Sequence, residues 1–364
     1  MSGRVLGLLV VVALGVAAFW LGVSQQPVRT WGIYLVNLLF WSGLAVTGPA
    51  IAGIIELMEG RWSPSVKRIA VTTIGFLPFS FVLFLALFAG RTVLYPWVTN
   101  PIPAKAIWLN VPFMAARIGL GIVIFYSVIW AFAGAVLREG ERGEQPAERR
   151  RRRVLATAML FLFVVVLSLF GFDLVMSLAP QWYSGLLGGY FTVSSLYTGF
   201  CLLAILTVVS ERAGVATIPP SAVQDVAKLV FATSILWMYF FWSQYLVIWY
   251  GNIPVETKFV IQRFFNDPWR VLAFVIFGIG WLIPFSYLLK RLTGRPPARH
   301  TPLLVVTCLA LIAIFLERMI LVFPSLGVER VFPFGLSEAL ITAGFFSLFL
   351  LGRIWFLARY RPRL

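Results

Sequence analysis

Four charged side chains fall inside long apolar stretches of this sequence, where an ionisable group is costly unless it is paired or functional. They are Arg117, Asp173, Glu317 and Arg318. At about 1.5 Å of rise per residue, Arg117 lies roughly 12 Å from the membrane midplane, Asp173 roughly 10 Å, and the adjacent Glu317 and Arg318 roughly 7–8 Å, all in the outer half. Two acids and two bases in one layer predict ion pairs across helices.

Two pairings satisfy these four charges: Asp173 binds either Arg117 or Arg318, and Glu317 binds the other arginine. The resulting set is either a structural group of ion pairs, or a proton relay or polar substrate pocket. The hydroxyl of Tyr245 and the amide of Gln244, in the same outer half, could extend such a network by hydrogen bonds. Glu56 lies near the inner interface without a clear acidic partner, so the pattern favours an outer half-channel only.

The residues that usually hold metals and cofactors are scarce. The chain has two cysteines and one histidine, His300, too few for a bis-histidine haem, a three-histidine zinc site or a cysteine-held iron–sulfur cluster. It has no Walker loop, and no Gly-rich turn opens a helix after a strand. We therefore expect no metal, haem or other cofactor in this chain, and no ATP-driven transport or hydrolytic catalysis by it alone.

The composition places these side chains in a membrane. Of the 364 residues, 60% are hydrophobic and 12% charged, against roughly 45–50% and about 25% in soluble domains. Segments of about 20 apolar residues predict membrane-spanning helices. They lie near 4–23, 31–58, 69–90, 113–137, 154–178, 185–209, 229–250, 270–290, 302–323 and 336–358. The predicted fold is an all-α polytopic protein with about ten spans in one membrane domain, 1–364, and residues 24–27 offer no signal-peptide cleavage site after the first span.

Charge asymmetry fixes the orientation. With the N-terminus inside, 21 of the 30 Lys and Arg fall in inner segments and 7 in outer ones, which predicts that both termini are cytoplasmic. The net charge of +16 is therefore typical of inner loops, and we expect no nucleic-acid partner. The basic inner loop 138–153 is either a contact for anionic lipid or a protein partner, or a stop-transfer anchor. The outer segment 251–270 is long enough to fold over the outer face.

Two stretches resemble a known family. They read FDLVMSLAPQWYS at 172–184 and WSQYLVIWYGNIPVET at 242–257. Together with the ten-span layout, they resemble the second NrfD-like (polysulfide-reductase-like) integral membrane subunit of bacterial alternative complex III, a quinol:cytochrome c or quinol:electron-acceptor oxidoreductase. Gln181 stands where the family often has a histidine, and Val255 where we expect an acid. Since glutamine does not titrate near neutral pH, any proton role of that histidine is lost or moved here.

The resemblance implies a core of two four-helix bundles, about 31–178 and about 185–323, with flanking helices 4–23 and 336–358. It also implies a bacterial inner-membrane location and a non-catalytic, cofactor-free subunit that scaffolds the complex, with proton conduction through an outer half-channel as a second expected role. The expected partners are a sister NrfD-like quinol-binding subunit, an iron–sulfur subunit, c-type cytochrome subunits and lipids. Iron–sulfur clusters and c-type haems would belong to those partners.

Two other functions remain open from the residues. Ten helices with intramembrane charges also fit a secondary transporter of a small polar solute. Alternatively, the chain binds quinol itself, since a quinone pocket needs apolar walls with a few convergent polar groups. For that case Trp182, Tyr183 and Gln181 are the expected quinone-proximal residues, and the proton-pathway candidates stay Asp173, Glu317, Arg117, Arg318, Tyr245 and Glu56.

Overall fold

The computed structural model describes residues 3–59, 64–139, 145–292, 300–328 and 331–360, and these residues form helices and connecting turns, with no strand among them. Ten helices in these ranges are long and apolar enough to cross a membrane, which confirms the predicted all-α polytopic class. They are α1 Gly3–Gln25, α2 Pro27–Leu57, α3 Pro64–Leu94, α4 Val111–Leu137, α5 Pro146–Leu178, α6 Leu187–Arg212, α7 Pro220–Gly251, α9 Trp269–Arg291, α10 Thr301–Leu326 and α11 Leu336–Tyr360. A shorter helix, α8 Pro254–Phe264, covers part of the outer segment predicted to fold over that face.

Several helices begin earlier than their apolar stretches. Helix α5 starts at Pro146 and includes the arginine run, and α7 starts at Pro220, nine residues before the predicted span 229–250. Hydropathy marks only the part of a helix that lies in hydrocarbon, whereas backbone hydrogen bonding continues into the interface. Proline suits the first helical position because its missing N–H would be unpaired there anyway. Of the basic inner loop, residues 140–144 lie outside the described residues.

Helix α2 is the centre of the packing, because 89% of the residues in its most apolar stretch are buried inside the protein. Small residues allow this close approach, as is usual where helices pack in membranes. A Cβ on Gly48 of α2 would lie 2.2 Å from the carbonyl oxygen of Ala70, and one on Gly199 of α6 would lie 2.0 Å from Cγ2 of Thr47. Neither contact leaves room for a side chain.

The helices pack in two groups with a shared seam. Helices α2 to α5 contact one another, as do α6, α7, α9 and α10, and the seam is formed by α2 and α5 against α6 and α10. Helices α1 and α11 pack along each other and lie together against α2 and α3. The two flanking helices are therefore neighbours on one side of the protein, and Gly15 meets the backbone of Gly344 where they cross.

The outer end of α5 departs from α-helical geometry. Residues Phe170–Val175 form a π-helical turn, followed by a 3₁₀ turn at Met176–Leu178. Such π turns re-aim side chains and are frequent at functional sites. Asp173 lies in this turn, so its position depends on the local irregularity as well as on the span that carries it.

Candidate functional site

Asp173 and Arg117 form a buried charge site at the outer ends of α5 and α4. Arg117 Nε lies 2.8 Å from Asp173 Oδ2 and Arg117 Nη2 lies 2.8 Å from Asp173 Oδ1, a bidentate pair. Trp108 Nε1 also donates to Oδ1, at 2.9 Å. Both carboxylate oxygens therefore accept charge-assisted hydrogen bonds, the strong kind in proteins.

Aromatic rings close this site from the outer side. The guanidinium of Arg117 lies 3.9 Å from the centroid of the Trp108 ring and 4.5 Å from that of Phe113. Trp108 comes from the segment between α3 and α4, where tryptophan is common at a membrane interface. Burial, together with the charge of Asp173, raises the pKa of the nearby Tyr95 hydroxyl, so Tyr95 stays protonated. Both oxygens of the Asp173 carboxylate are therefore hydrogen-bonded, and the carboxylate is buried from water.

Glu317 and Arg318 form the second charge site, on α10. Arg318 Nη2 donates to Ser194 Oγ at 2.6 Å and to Ser195 Oγ at 3.2 Å, and its guanidinium lies 3.9 Å from the Phe191 ring centroid. Glu317 Oε1 accepts from Trp237 Nε1 at 3.1 Å. Arg318 Nη1 lies 3.0 Å from Glu317 Oε2, but neither atom makes an aligned hydrogen bond within the described part of the chain. Glu317 is thus charge-compensated yet keeps one acceptor oxygen without a hydrogen bond.

The four charges predicted to share one layer form two separate sites. The pairing Asp173–Arg117 and Glu317–Arg318 is one of the two that the sequence allows, and each pair belongs to a different helix group. The π turn positions Asp173 toward α4, whereas the serines of α6 hold Arg318 toward the seam. A single continuous four-charge network is absent from the described ranges.

A cavity lies beside Glu317, between α7, α8, α9 and α10; we call it the outer cavity. It contains about 740 Å³ of space not filled by atoms, part of it open to the outside. Its walls are mostly aromatic and aliphatic, and its polar lining residues are Tyr190, Trp237, Gln244, Tyr245, Arg263 and Glu317. Tyr245 shares the cavity with Glu317, as its predicted depth suggested, but makes no hydrogen bond to Glu317 in the structure as described.

Arg263 is a buried residue that sequence reasoning missed, because it lies on α8, outside every predicted span. It is 1% exposed. Its Nη1 donates to the carbonyl of Phe259 at 3.0 Å, and its Nη2 to the carbonyl of Leu321 at 3.1 Å and to Ser325 Oγ. The guanidinium carbon lies 3.3 Å from the Phe259 ring centroid. Burial lowers the pKa of Arg263 well below its usual value.

Glu56 belongs to a cluster at the inner end. Its carboxylate lies 2.6 Å from Lys67 Nζ and 3.1 Å from Arg152 Nε. Glu139 contacts the same two cations, at 2.6 Å and 3.4 Å. The expectation that Glu56 lacks an acidic partner is wrong: Glu139, at the end of α4, shares both of its cations, and helix packing rather than sequence spacing brings it there. Among the described residues, two acids and two bases contact one another in this cluster.

The residues expected near a quinone, at 181–183, differ in their burial and in their contacts. The Trp182 ring stacks on Phe259, with 3.6 Å between centroids and 3° between planes, and so lies behind one wall of the outer cavity. Tyr183 and Gln181 are exposed. Lys105 Nζ donates to the carbonyl of Pro180 at 2.6 Å, which fixes the segment that carries them. None of the three residues lines the outer cavity.

Within the described ranges, no three His, Cys, Asp or Glu side chains lie close enough together to hold a metal ion. Comparison with protein-family models and with curated proteins finds no significant match for this chain. In the residues that the structure describes, ten helices are long and apolar enough to span a membrane, Asp173–Arg117 and Glu317–Arg318 form separate buried sites, and a cavity lies beside the second site.

Proposed function

We propose that this chain is a cofactor-free integral subunit of a bacterial inner-membrane complex that oxidises quinol, of the alternative complex III type. In this role it scaffolds a sister quinol-binding NrfD-like subunit and provides an outer half-channel for protons. Iron–sulfur clusters and c-type haems then reside in partner subunits. The motifs at 172–184 and 242–257 are the basis of the family assignment.

The observation that carries the proposal is the matched placement of the two buried acid–arginine pairs. Asp173 lies on the last helix of the first group and Glu317 on the last helix of the second, both toward the outer end. A duplicated two-bundle layout, as the resemblance implies, would produce such a correspondence. The correspondence agrees with this assignment, and the purification described below separates it from a transporter, since secondary transporters are also often built from internal repeats.

Within this proposal, Glu317 is the acid best suited to exchange protons. Its Oε2 lacks a hydrogen bond in the described part of the chain, and the residue lines the outer cavity. Asp173 is saturated by Arg117 and Trp108, and Glu56 is held by two cations at the other end. Proton exchange is therefore proposed for the outer half of the second helix group.

The test is gentle affinity purification of the tagged chain from native membranes, followed by mass spectrometry and a visible spectrum. We expect a second NrfD-like protein, an iron–sulfur subunit and c-type haem absorbance in the same fraction. A lone, colourless protein in several mild detergents would contradict the proposal. Solute uptake by liposomes that contain only this chain would then favour the transporter.

A further inference from the structure

Arg263 is a buried cation without a countercharge among the described residues. Its hydrogen-bond partners are two backbone carbonyls and a serine hydroxyl, all of them neutral. Its Nε is buried and has no hydrogen-bond partner in the ranges described. Buried charges are normally paired, because an uncompensated one is strongly unfavourable. The buried acid that lines the same cavity, Glu317, already has its countercharge in Arg318.

The outer cavity places apolar walls next to this cation. Arg263 lines it together with residues such as Ile248, Phe264, Ala273 and Ile276. Its accessible lining is therefore mainly hydrocarbon, and its charged lining residues are Arg263 and Glu317, of which Glu317 is already compensated by Arg318. That combination suits an amphiphile with an acyl chain and an anionic head better than a polar solute.

Depth along α10 gives the orientation of such a ligand. Arg263 binds the carbonyl of Leu321, which is five residues before the end of α10 at Leu326, or about 8 Å along the axis. Helix α10 has 26 residues and is about 39 Å long, against a hydrocarbon core of about 30 Å. Arg263 therefore lies near the boundary between acyl chains and headgroups, and Glu317 lies about one turn deeper.

We propose that the outer cavity binds one acyl-chain amphiphile with an anionic head group, whose phosphate or carboxylate pairs with Arg263 and whose chain fills the space between α7, α8, α9 and α10. The ligand supplies the countercharge that the described residues lack. It also ties α8 to the membrane-spanning helices at the outer face. This inference concerns lipid binding by the chain and stands independently of the proposed redox complex.

The test measures lipid retained by the full-length protein after delipidation and re-addition of phosphatidylglycerol or phosphatidylcholine, by native mass spectrometry. We expect the wild type to keep one phosphatidylglycerol and to prefer it over phosphatidylcholine by about tenfold or more, as for a charge-assisted contact in a buried site. Arg263→Gln should abolish this preference. Arg270→Gln, which changes an exposed outer arginine paired with Asp267, is the matched control and should keep it.

A second pair of variants leaves the arginine untouched. Ala273→Phe fills the cavity, whereas Val275→Phe adds the same ring on an exposed position of the same helix. We expect only Ala273→Phe to lose the lipid, so the result stands even if Arg263→Gln does not fold.

The same retention measurement with decanoate shows whether the ligand is a free fatty acid or a phospholipid. Retention of either one that is lost in Arg263→Gln supports the site. Equal retention of the two phospholipids by the wild type would overturn the proposal. Full retention of phosphatidylglycerol by Ala273→Phe would also overturn the proposal. So would retention of neutral decylhydroquinone that is equal in the wild type and in Arg263→Gln.

Discussion

Arg117 holds Asp173 by two parallel hydrogen bonds, each 2.8 Å long, from Nε to Oδ2 and from Nη2 to Oδ1. Their side chains are 9% and 0% exposed, so the pair is removed from water. Glu317 and Arg318 are adjacent in sequence and lack this two-point geometry. Each site thus contains one acid and one arginine. Both carboxylate oxygens of Asp173 accept hydrogen bonds, whereas only one oxygen of Glu317 does so in the described part of the chain. We therefore predict different effects for mutations of the two acids.

Asp173→Asn should destabilise the protein. The substitution leaves Arg117 buried without a countercharge, and breaking a buried pair in this way typically costs about 3–5 kcal/mol. Thermal unfolding in detergent measures the loss. The double variant Asp173→Asn with Arg117→Gln should recover part of it, because no unpaired charge remains; an unaltered melting temperature in the single variant would argue against a structural pair.

Glu317→Gln should impair proton-coupled turnover of the purified complex by about a hundredfold, the lower end of the range of general acid–base effects. The amide oxygen can still accept from Trp237, but Arg318 loses its countercharge and some stability is lost with it, so turnover is measured per assembled complex. Proton release per quinol oxidised is the measurement, and Asp173→Asn, corrected for the amount of assembled complex, is the comparison. Normal release by an assembled Glu317→Gln complex would eliminate this residue from the proton route.

Glu56→Gln should weaken the inner end of the helix packing. Among the described residues, Glu139, whose side chain is 23% exposed, would remain as the acid that contacts both Lys67 and Arg152, and the buried cluster would lose one negative charge. We expect a loss of about 3 kcal/mol, measured by thermal unfolding. Lys67→Met in the same background should restore stability, and if it lowers stability further the cluster does not act as a balanced set.

Gly199→Ala should disrupt the seam between α2 and α6. The new Cβ would meet Thr47 Cγ2 at 2.0 Å, and a β-branched threonine has little rotamer freedom to move away in a helix. Gly119→Ala in α4 is the matched control, because nothing lies within 4 Å of its added Cβ. Detergent-solubilised yield and melting temperature should fall for the first variant and hold or rise slightly for the second.

His300 should make stability sensitive to mild acid. Burial lowers its pKa from the usual 6.5, with Arg291 and Arg212 acting in the same direction and Glu211 opposing them. The unfolded chain therefore binds a proton that the folded chain resists, and stability falls as the pH drops below about 6.5. His300→Gln should flatten the dependence of the melting temperature on pH between 7 and 5; identical curves for the two proteins would contradict the assignment.

Apolar length alone predicts all ten spans, because hydrocarbon thickness dictates how many residues a crossing requires. Depth counting also places Arg117 at the level of Asp173 and makes their pairing one of two options. It cannot choose between those options, because the choice depends on the π turn at Phe170–Val175 and on Ser194 and Ser195 of α6. Local irregularity and helix rotation are not encoded in hydropathy.

Arg263 and Glu139 lie beyond this kind of reasoning for a different reason. Each is in a segment that reads as an ordinary polar connection, and each becomes buried or paired only when another helix packs over it. Arg263 does follow Phe259 by four residues on one face of α8, which is a weak signal of a buried stripe. Trp108 has no such signal, because a tryptophan near a span end is expected at the interface in any case.

The pairing of α1 with α11 has a consequence for biogenesis. Of these ten helices, α1 is synthesised before and α11 after all the others, yet each is the other's most extensive neighbour. Helix α1 must therefore stay in the lipid without this neighbour until α11 has been inserted, with Gly15 open for Gly344. A chain that stalls before α11 leaves this small-residue surface of α1 uncovered.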